Sequence, residues 1–223
     1  MTFGIETGQP VRALDGVSVS IPAGQSVSIM GPSGSGKSTL LHCLAGILRP
    51  DSGDVSLGAE PVSLAGDAAR SALRRRHFGF VFQDGQLLAE LPADENVALP
   101  LMLNGVGRRT ALAEARHWLA RLGLAGMERR RPGQLSGGQA HRVAIARALV
   151  HTPAVVMADE PTGALDQATG AEVMEVLTTA TSMIGASLVV VTHDAQVAGW
   201  CHRHLTIVDG RIHADETVPG SRP

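Results

Sequence analysis

Tyrosine is missing from this chain of 223 residues, and lysine nearly so: among 19 basic side chains the only lysine is Lys37. Four phenylalanines and two tryptophans are too few to build the base-stacking platforms of a single-strand nucleic-acid binder. A net charge of −2 removes the cationic excess that DNA or RNA binding calls for. Two cysteines, Cys43 and Cys201, lie far apart with no Cys-x-x-Cys spacing, which excludes a disulfide scaffold and reads as a pair of packing residues in a reducing compartment. Long apolar runs are absent as well: Val97 to Leu103 falls far short of the roughly 20 residues needed to cross a bilayer, and Met1 to Pro10 has no signal-peptide pattern. The expectation is a cytoplasmic chain that does not itself span the membrane.

What the chain has is aliphatic bulk, with 44% hydrophobic residues, and 26 glycines. Val17 to Ile21 alternates apolar and polar residues and reads as a strand, Pro22-Ala23-Gly24 as a turn, and Ser26 to Met30 as a second strand. A buried helix is predicted from Lys37, a strand over 54–57, a basic helix around 68–76, and a strand through Phe78, Phe80 and Phe82. Residues 84–133 change texture, with a helix over 108–122 carrying Leu112, Ala115, Trp118, Leu119 and Leu122 on one side. Strand and helix then alternate: helix 138–151, strand 154–158, helix 167–181, strand 187–191. Alternation of this kind implies an α/β fold with a mostly parallel sheet covered on both faces. The reading is one domain over 1–223, with an α/β core (1–83 and 134–213), a helical insertion (84–133), a hairpin at Asp209-Gly210, and a flexible tail over 214–223.

The lone lysine sits in Gly31-Pro32-Ser33-Gly34-Ser35-Gly36-Lys37-Ser38-Thr39, between a predicted strand and a predicted helix. That string in that context is a phosphate-binding loop. Its glycines let several N–H groups converge on one anion, and the helix start adds the positive end of its dipole. Lys37 is placed to reach the β- and γ-phosphates of a nucleotide, and the Ser38 hydroxyl to ligate Mg²⁺. An ordinary glycine-rich turn is the bland alternative, but a lysine placed at random would fill this one slot in roughly one chain in two hundred. Further on, the apolar strand Val155 to Ala158 runs into Asp159-Glu160, where open α/β sheets place their ligands. Asp159 there suits a Mg²⁺ ligand and Glu160 a base for the attacking water.

With these motifs the chain resembles the ATP-binding subunits of ABC transporters. Leu135-Ser136-Gly137-Gly138-Gln139 is similar to the family's signature, Asp159 to Asp166 to its Walker B and D-loop, Gln83 to its Q-loop and His193 to its switch histidine. Phe80 to Gln83, Leu87-Leu88, Glu95 to Leu101 and Glu160 to Gly163 resemble the subgroup serving lipoprotein release, macrolide export and cell division. The resemblance implies a P-loop NTPase core with a small N-terminal antiparallel β subdomain, hydrolysing ATP with Mg²⁺. It implies a head-to-tail dimer with a second copy or a homologous subunit, in which Ser136, Gly137, Gly138 and Gln139 close over the ATP held by Lys37 of the other. It implies an integral membrane permease as partner, hence a peripheral position on the inner face of the cell membrane. By the same resemblance His193 contacts the γ-phosphate, Gln83 joins Ser38 and Asp159 at the metal and links the nucleotide to the insertion, Asp166 reaches across the dimer, and Phe3 lies under the adenine.

Bland alternatives stand beside two of these: Gln83 as a strand-end residue and His193 as a cap for the helix at Ala195. Ala140-His141 departs from the glutamine- or arginine-rich pair expected after the signature, without an explanation in the sequence. A regulatory or scaffolding ATPase is the rival function. A DNA-repair or ribosome-associated ATPase is disfavoured, because one cassette of slightly negative charge has no room for a long coiled coil.

Overall fold

A computed structural model describes residues 1–3 and 11–218, without the side chain of Phe3. Two-residue strands β1 (Thr2–Phe3) and β2 (Val11–Arg12) pair antiparallel at the start of the chain. Next come β3 (Ser26–Met30) and α1 (Lys37–Leu44), then a small hairpin of β4 (Ser56–Leu57) and β5 (Glu60–Pro61). Helix α2 (Asp67–His77) leads directly into β6 (Phe78–Phe82). Helices α3 (Ala93–Leu103) and α4 (Arg108–Arg121) form the insertion, and a 3-10 turn over Pro132–Gln134 returns the chain to α5 (Gly137–Leu149). The remainder is β7 (Val155–Asp159), α6 (Gln167–Met183), β8 (Ser187–Val191), α7 (Ala195–Ala198), β9 (Arg203–Val208) and β10 (Arg211–Thr217).

The central sheet has the order β10-β9-β3-β8-β7-β6, with β9, β3, β8, β7 and β6 parallel and β10 antiparallel at the edge. Both faces are buried, as the continuous apolar runs of β7 and β8 demand. On one face Val156, Ala158, Leu188 and Val190 pack against α5, α6 and the insertion. Their neighbours one residue on, Met157, Val189 and Val191, join Val27, Ile29, Leu205 and Ile207 against α1. Cys43 and Cys201 are free and buried in these two layers, and burial pushes the Cys201 thiol up to about 12. Among the described residues no helix is long and apolar enough to cross a membrane.

The insertion is held by a buried charge. Asp94 is fully enclosed and receives Arg116 through Nε at 3.0 Å and Nη2 at 2.9 Å, with Arg129 at 3.7 Å. Breaking such a pair from one side leaves a bare charge and costs about 3–5 kcal/mol. Trp118 and Leu119 supply the apolar contacts of α4.

Three expectations need correction. Val17 to Ile21 keeps its alternating burial, but no strand ladder pairs it, so its in-and-out pattern packs Val17, Val19 and Ile21 on the core as irregular chain. The strand over 54–57 shrinks to Ser56–Leu57, closed by the unforeseen β5. The tail is ordered further than expected: β10 continues through Thr217, pinned by Arg203, which donates to both carboxylate oxygens of Asp215 at 2.7 Å. Residues 219–223 lie outside the described residues.

Candidate functional site

The turn between β3 and α1 uses three glycines at positive φ: Gly31 at 148°, Gly34 at 78° and Gly36 at 101°. Two of them also lack room for a side chain. A Cβ on Gly31 would lie 2.0 Å from the Ile207 carbonyl oxygen, and one on Gly36 would lie 2.1 Å from that of Ala13. The loop is therefore wedged between β9 and the segment after β2, and Gly210 N–H fixes it further by donating to the Ser35 carbonyl at 3.0 Å. Ahead of Leu40, whose N–H reaches the Gly36 carbonyl, the first N–H groups of α1 have no carbonyl one turn back. Lys37 folds over the loop, its ammonium donating to the carbonyls of Gly31 at 2.8 Å and Pro32 at 2.9 Å. Pro32, Ser33, Gly34 and Ser38 are exposed on the rim, Thr39 is half-buried, and Ser35 is buried.

Parallel pairing of β3, β8 and β7 brings Asp159 beside this loop. Ser38 Oγ donates to Asp159 Oδ1 at 3.4 Å. Burial raises the Asp159 carboxyl above its ordinary value, and the Ser38 hydrogen bond pulls it back only in part. A hydroxyl and a partly desolvated carboxylate are the hard oxygen donors that Mg²⁺ prefers, and a cation there would offset the cost of burying the charge.

Glu160 follows in a left-handed conformation, φ 47°, which non-glycine residues rarely adopt. Its N–H still donates to the Val191 carbonyl at 2.9 Å, so the sheet pairing enforces the bend. The side chain is gripped by the two residues that follow β8: Thr192 Oγ1 donates to Oε2 at 3.3 Å, and His193 Nδ1 lies 2.7 Å from Oε1. His193 does not cap α7; Asp194 does, accepting from Gln196 N–H at 2.7 Å. Gln83 continues the strand whose Phe82 pairs with Asp159, and its amide lies over Gly163, where a Cβ would meet Nε2 at 2.9 Å. Asp159, Glu160, Gln83 and His193 thus gather at the carboxyl ends of β7, β6 and β8.

The signature segment is a second helix N-terminus. Ser136 caps α5 by accepting from Gln139 N–H at 3.3 Å, while Gln139 Oε1 accepts from Ser136 N–H at 3.0 Å, a reciprocal capping box. Gly137 faces Leu165 and Gly138 faces Thr169, each too close for an unshifted Cβ. Asp166 caps α6, accepting from Ala168 and Thr169 N–H at 3.1 Å and from Thr169 Oγ1 at 2.7 Å; these bonds, that of the Thr169 hydroxyl foremost, lower its carboxyl below the usual range. Phe3 is placed by its backbone alone, opposite Val11, and its side chain lies outside the described residues.

The sequence model of the family described as ABC transporter matches residues 14–163. The chain belongs to the ABC transporter family. As an ABC ATP-binding subunit it binds and hydrolyses ATP. This ABC ATPase is 45% identical over 216 residues to the lipoprotein-releasing system ATP-binding protein LolD of Geobacter metallireducens, covering 96% of each chain. It is 46% identical over 205 residues to the macrolide export ATP-binding/permease protein MacB 1/2 of Paracoccus denitrificans, covering 92% of this chain and 30% of that longer one. The solved dimeric structure of MJ0796, a bacterial ABC transporter cassette, matches 98% of this chain and 96% of its own with a TM-score of 0.87 and 38% identity. A second structure of that cassette, a dimeric post-hydrolysis state bound to ADP and Pi, matches with a TM-score of 0.85.

Several contacts of this ABC ATPase were not foreseen. Thr192 beside Glu160, and the Ala13 and Ile207 carbonyls under the phosphate loop, act through tertiary neighbours; Thr192 had a signal only in its place next to His193. His141 is the third, and it is taken up below.

Proposed function

We propose that this ABC ATPase powers a separate membrane permease, working as a head-to-tail dimer in which each ATP lies between Lys37 of one copy and Ser136 to Gln139 of the other. One chain carries one phosphate loop and a second, capped helix N-terminus with two glycines, and two anion cradles on one chain are matched when two copies exchange them. The dimeric cassettes of the solved relatives support this arrangement. The chain as a whole, 1–223, is then one ATP-binding domain with residues 84–133 as its helical part.

In this reading the loop N–H groups and Lys37 bind the phosphates, Lys37 exchanging its two loop carbonyls for them. Ser38, Asp159 and Gln83 would hold Mg²⁺, which supplies charge neutralisation at the transferring phosphoryl group. Glu160 accepts the proton of the attacking water, and His193 orients Glu160 and meets the γ-phosphate. The observation that carries the proposal is the Glu160 carboxylate: strained backbone, two side-chain partners from the residues just past β8, and a place one residue from Asp159. Strain of this kind persists only where the surroundings enforce it, and it concentrates at working sites.

The permease face is proposed at the groove between β6, α2 and α3. It is a cavity of about 370 Å³ lined by Phe80, Phe82 and Leu103 together with Arg74, Arg75 and Arg147. That lining suits an apolar segment carrying acidic side chains, presented at the inner membrane surface. The similarity to LolD and MacB makes lipoprotein release or macrolide export the substrate classes to test first.

Replacing Glu160 with Gln keeps the shape and removes the base. Glu160→Gln is expected to bind ATP with unchanged affinity, to lose turnover by about 100-fold or more, and to elute from gel filtration as an ATP-bound dimer. Turnover at the wild-type rate would overturn the assignment.

A further inference from the structure

The unexplained residue after the signature lies at a junction. His141 is buried, 4% exposed, one turn into α5. Its Nδ1 lies 3.0 Å from the Gly137 carbonyl oxygen, in the first turn of its own helix, and its Nε2 lies 2.9 Å from the carbonyl oxygen of Gln83. The imidazole therefore spans from the signature turn to the backbone of the residue whose amide lies over Gly163, at the Asp159-Glu160 strand end.

Two further positions on α5, spaced by three residues, grip the same loop. Ala144 packs against Gly85, where a Cβ would come within 3.6 Å of its methyl. Arg147, in the sequence Arg142 to Leu149, donates through Nη2 to the Gly85 carbonyl at 2.7 Å and through Nη1 to that of Gln86 at 2.7 Å. Gly85 and Gln86 both have positive φ, 65° and 45°. Such a bend needs external support, and it receives that support from one helix. Between them His141 and Arg147 engage the carbonyl oxygens of residues 83, 85 and 86, and α5 carries Ser136 to Gln139 at its other function, the helix N-terminus.

We propose that His141 is a positioning residue for ATP hydrolysis: by spanning Gly137 and the Gln83 backbone it makes the signature turn and Gln83 move as one rigid unit. Nucleotide-dependent displacement of Gln83 is thereby passed along α5 to the surface that faces the second copy, without His141 touching substrate. The residue type is suited to the task, because a ring with a nitrogen on each side lies within reach of two carbonyls, donating to one of them as the neutral ring and to both as imidazolium. A methyl at this position reaches neither.

This inference rests on the site reading above, and the experiment keeps the two apart. The full chain and its His141→Ala and His141→Gln variants are compared for Mg²⁺-ATP turnover and for affinity towards a fluorescent ATP analogue, with Glu160→Gln as the marker of the site. His141→Ala is expected to lower kcat at least tenfold with nucleotide affinity within about threefold of wild type. His141→Gln, whose amide N–H replaces the bond to Gln83, is expected to recover at least half of the lost rate. If His141→Ala does not fold, His141→Asn takes its place, an amide too short for the span. A wild-type kcat in the Ala or Asn variant overturns the proposal, as does a Gln variant no better than either, or affinity and turnover falling together. Full turnover in Glu160→Gln would instead sink the reading of the site itself.

Discussion

Asp159, the carboxylate proposed to hold Mg²⁺, sits at a place that resists ionisation. Burial raises its folded-state pKa above the ordinary carboxylate value. A group shifted this way favours the folded state only below the unfolded pKa, and that contribution is lost as pH rises through the folded one. Near neutral pH the charged Asp159 therefore costs stability in the absence of ligand. Asp159→Asn is expected to abolish turnover and yet raise the thermal midpoint near neutral pH. The gain should shrink at a second, more acidic pH, as the native carboxyl itself takes up its proton. Thermal unfolding at the two pH values checks it; a lowered midpoint near neutrality would contradict it. Lys37, Asp159 and Glu160 were legible in the sequence because each is a chemically specific residue at a fixed spacing from a glycine or a strand end. Thr192 was not, because a threonine beside a histidine states nothing about which carboxylate it will face.

Among the elements, β6 shows how a correct pattern hides a constraint. The alternation of Phe78, Phe80 and Phe82 with Gly79 and Val81 announces a strand. In the fold Gly79 is the point of closest approach to α5: a Cβ there would lie 2.2 Å from the Ala148 carbonyl oxygen, which the helix cannot yield. Gly79→Ala is expected to destabilise the protein by about 1–3 kcal/mol, the ordinary cost of overpacking. It should also weaken the grip of α5 on residues 83–86. Denaturant unfolding measures the first effect, and a midpoint unchanged from wild type would contradict it. The false strand at Val17 to Ile21 makes the complementary point: alternation reports which side chains face the core, whereas a strand also needs a neighbour to bond, and no ladder pairs this segment. Conversely β10 ran past its expected end because Arg203 and Asp215, twelve residues apart and the second inside the supposed tail, meet across a hairpin whose register no local pattern gives.

At the scale of the whole molecule, a site shared between two copies can be tested by mixing. Lys37→Ala removes the phosphate cradle of one chain and Ser136→Arg the signature of another, so each variant alone is expected to be inactive. In an equal mixture about half of the dimers pair one with the other, and each such dimer holds one intact composite site, returning about a quarter of the wild-type turnover. No recovery on mixing would place both elements in the service of one chain. The sequence by itself determined the motifs, the parallel α/β order and the side chains proposed to meet a nucleotide, since these depend on residue type at short spacing and on periods of 2 and 3.6. Only the tertiary structure decided that Glu160 is bent and held by Thr192 and His193, that the phosphate loop is wedged by Ile207 and Ala13, and that His141 joins the signature to Gln83. Those contacts join residues 23 to 176 positions apart, and the ones made to backbone carbonyls, identical at every residue, leave no trace in a sequence of side chains.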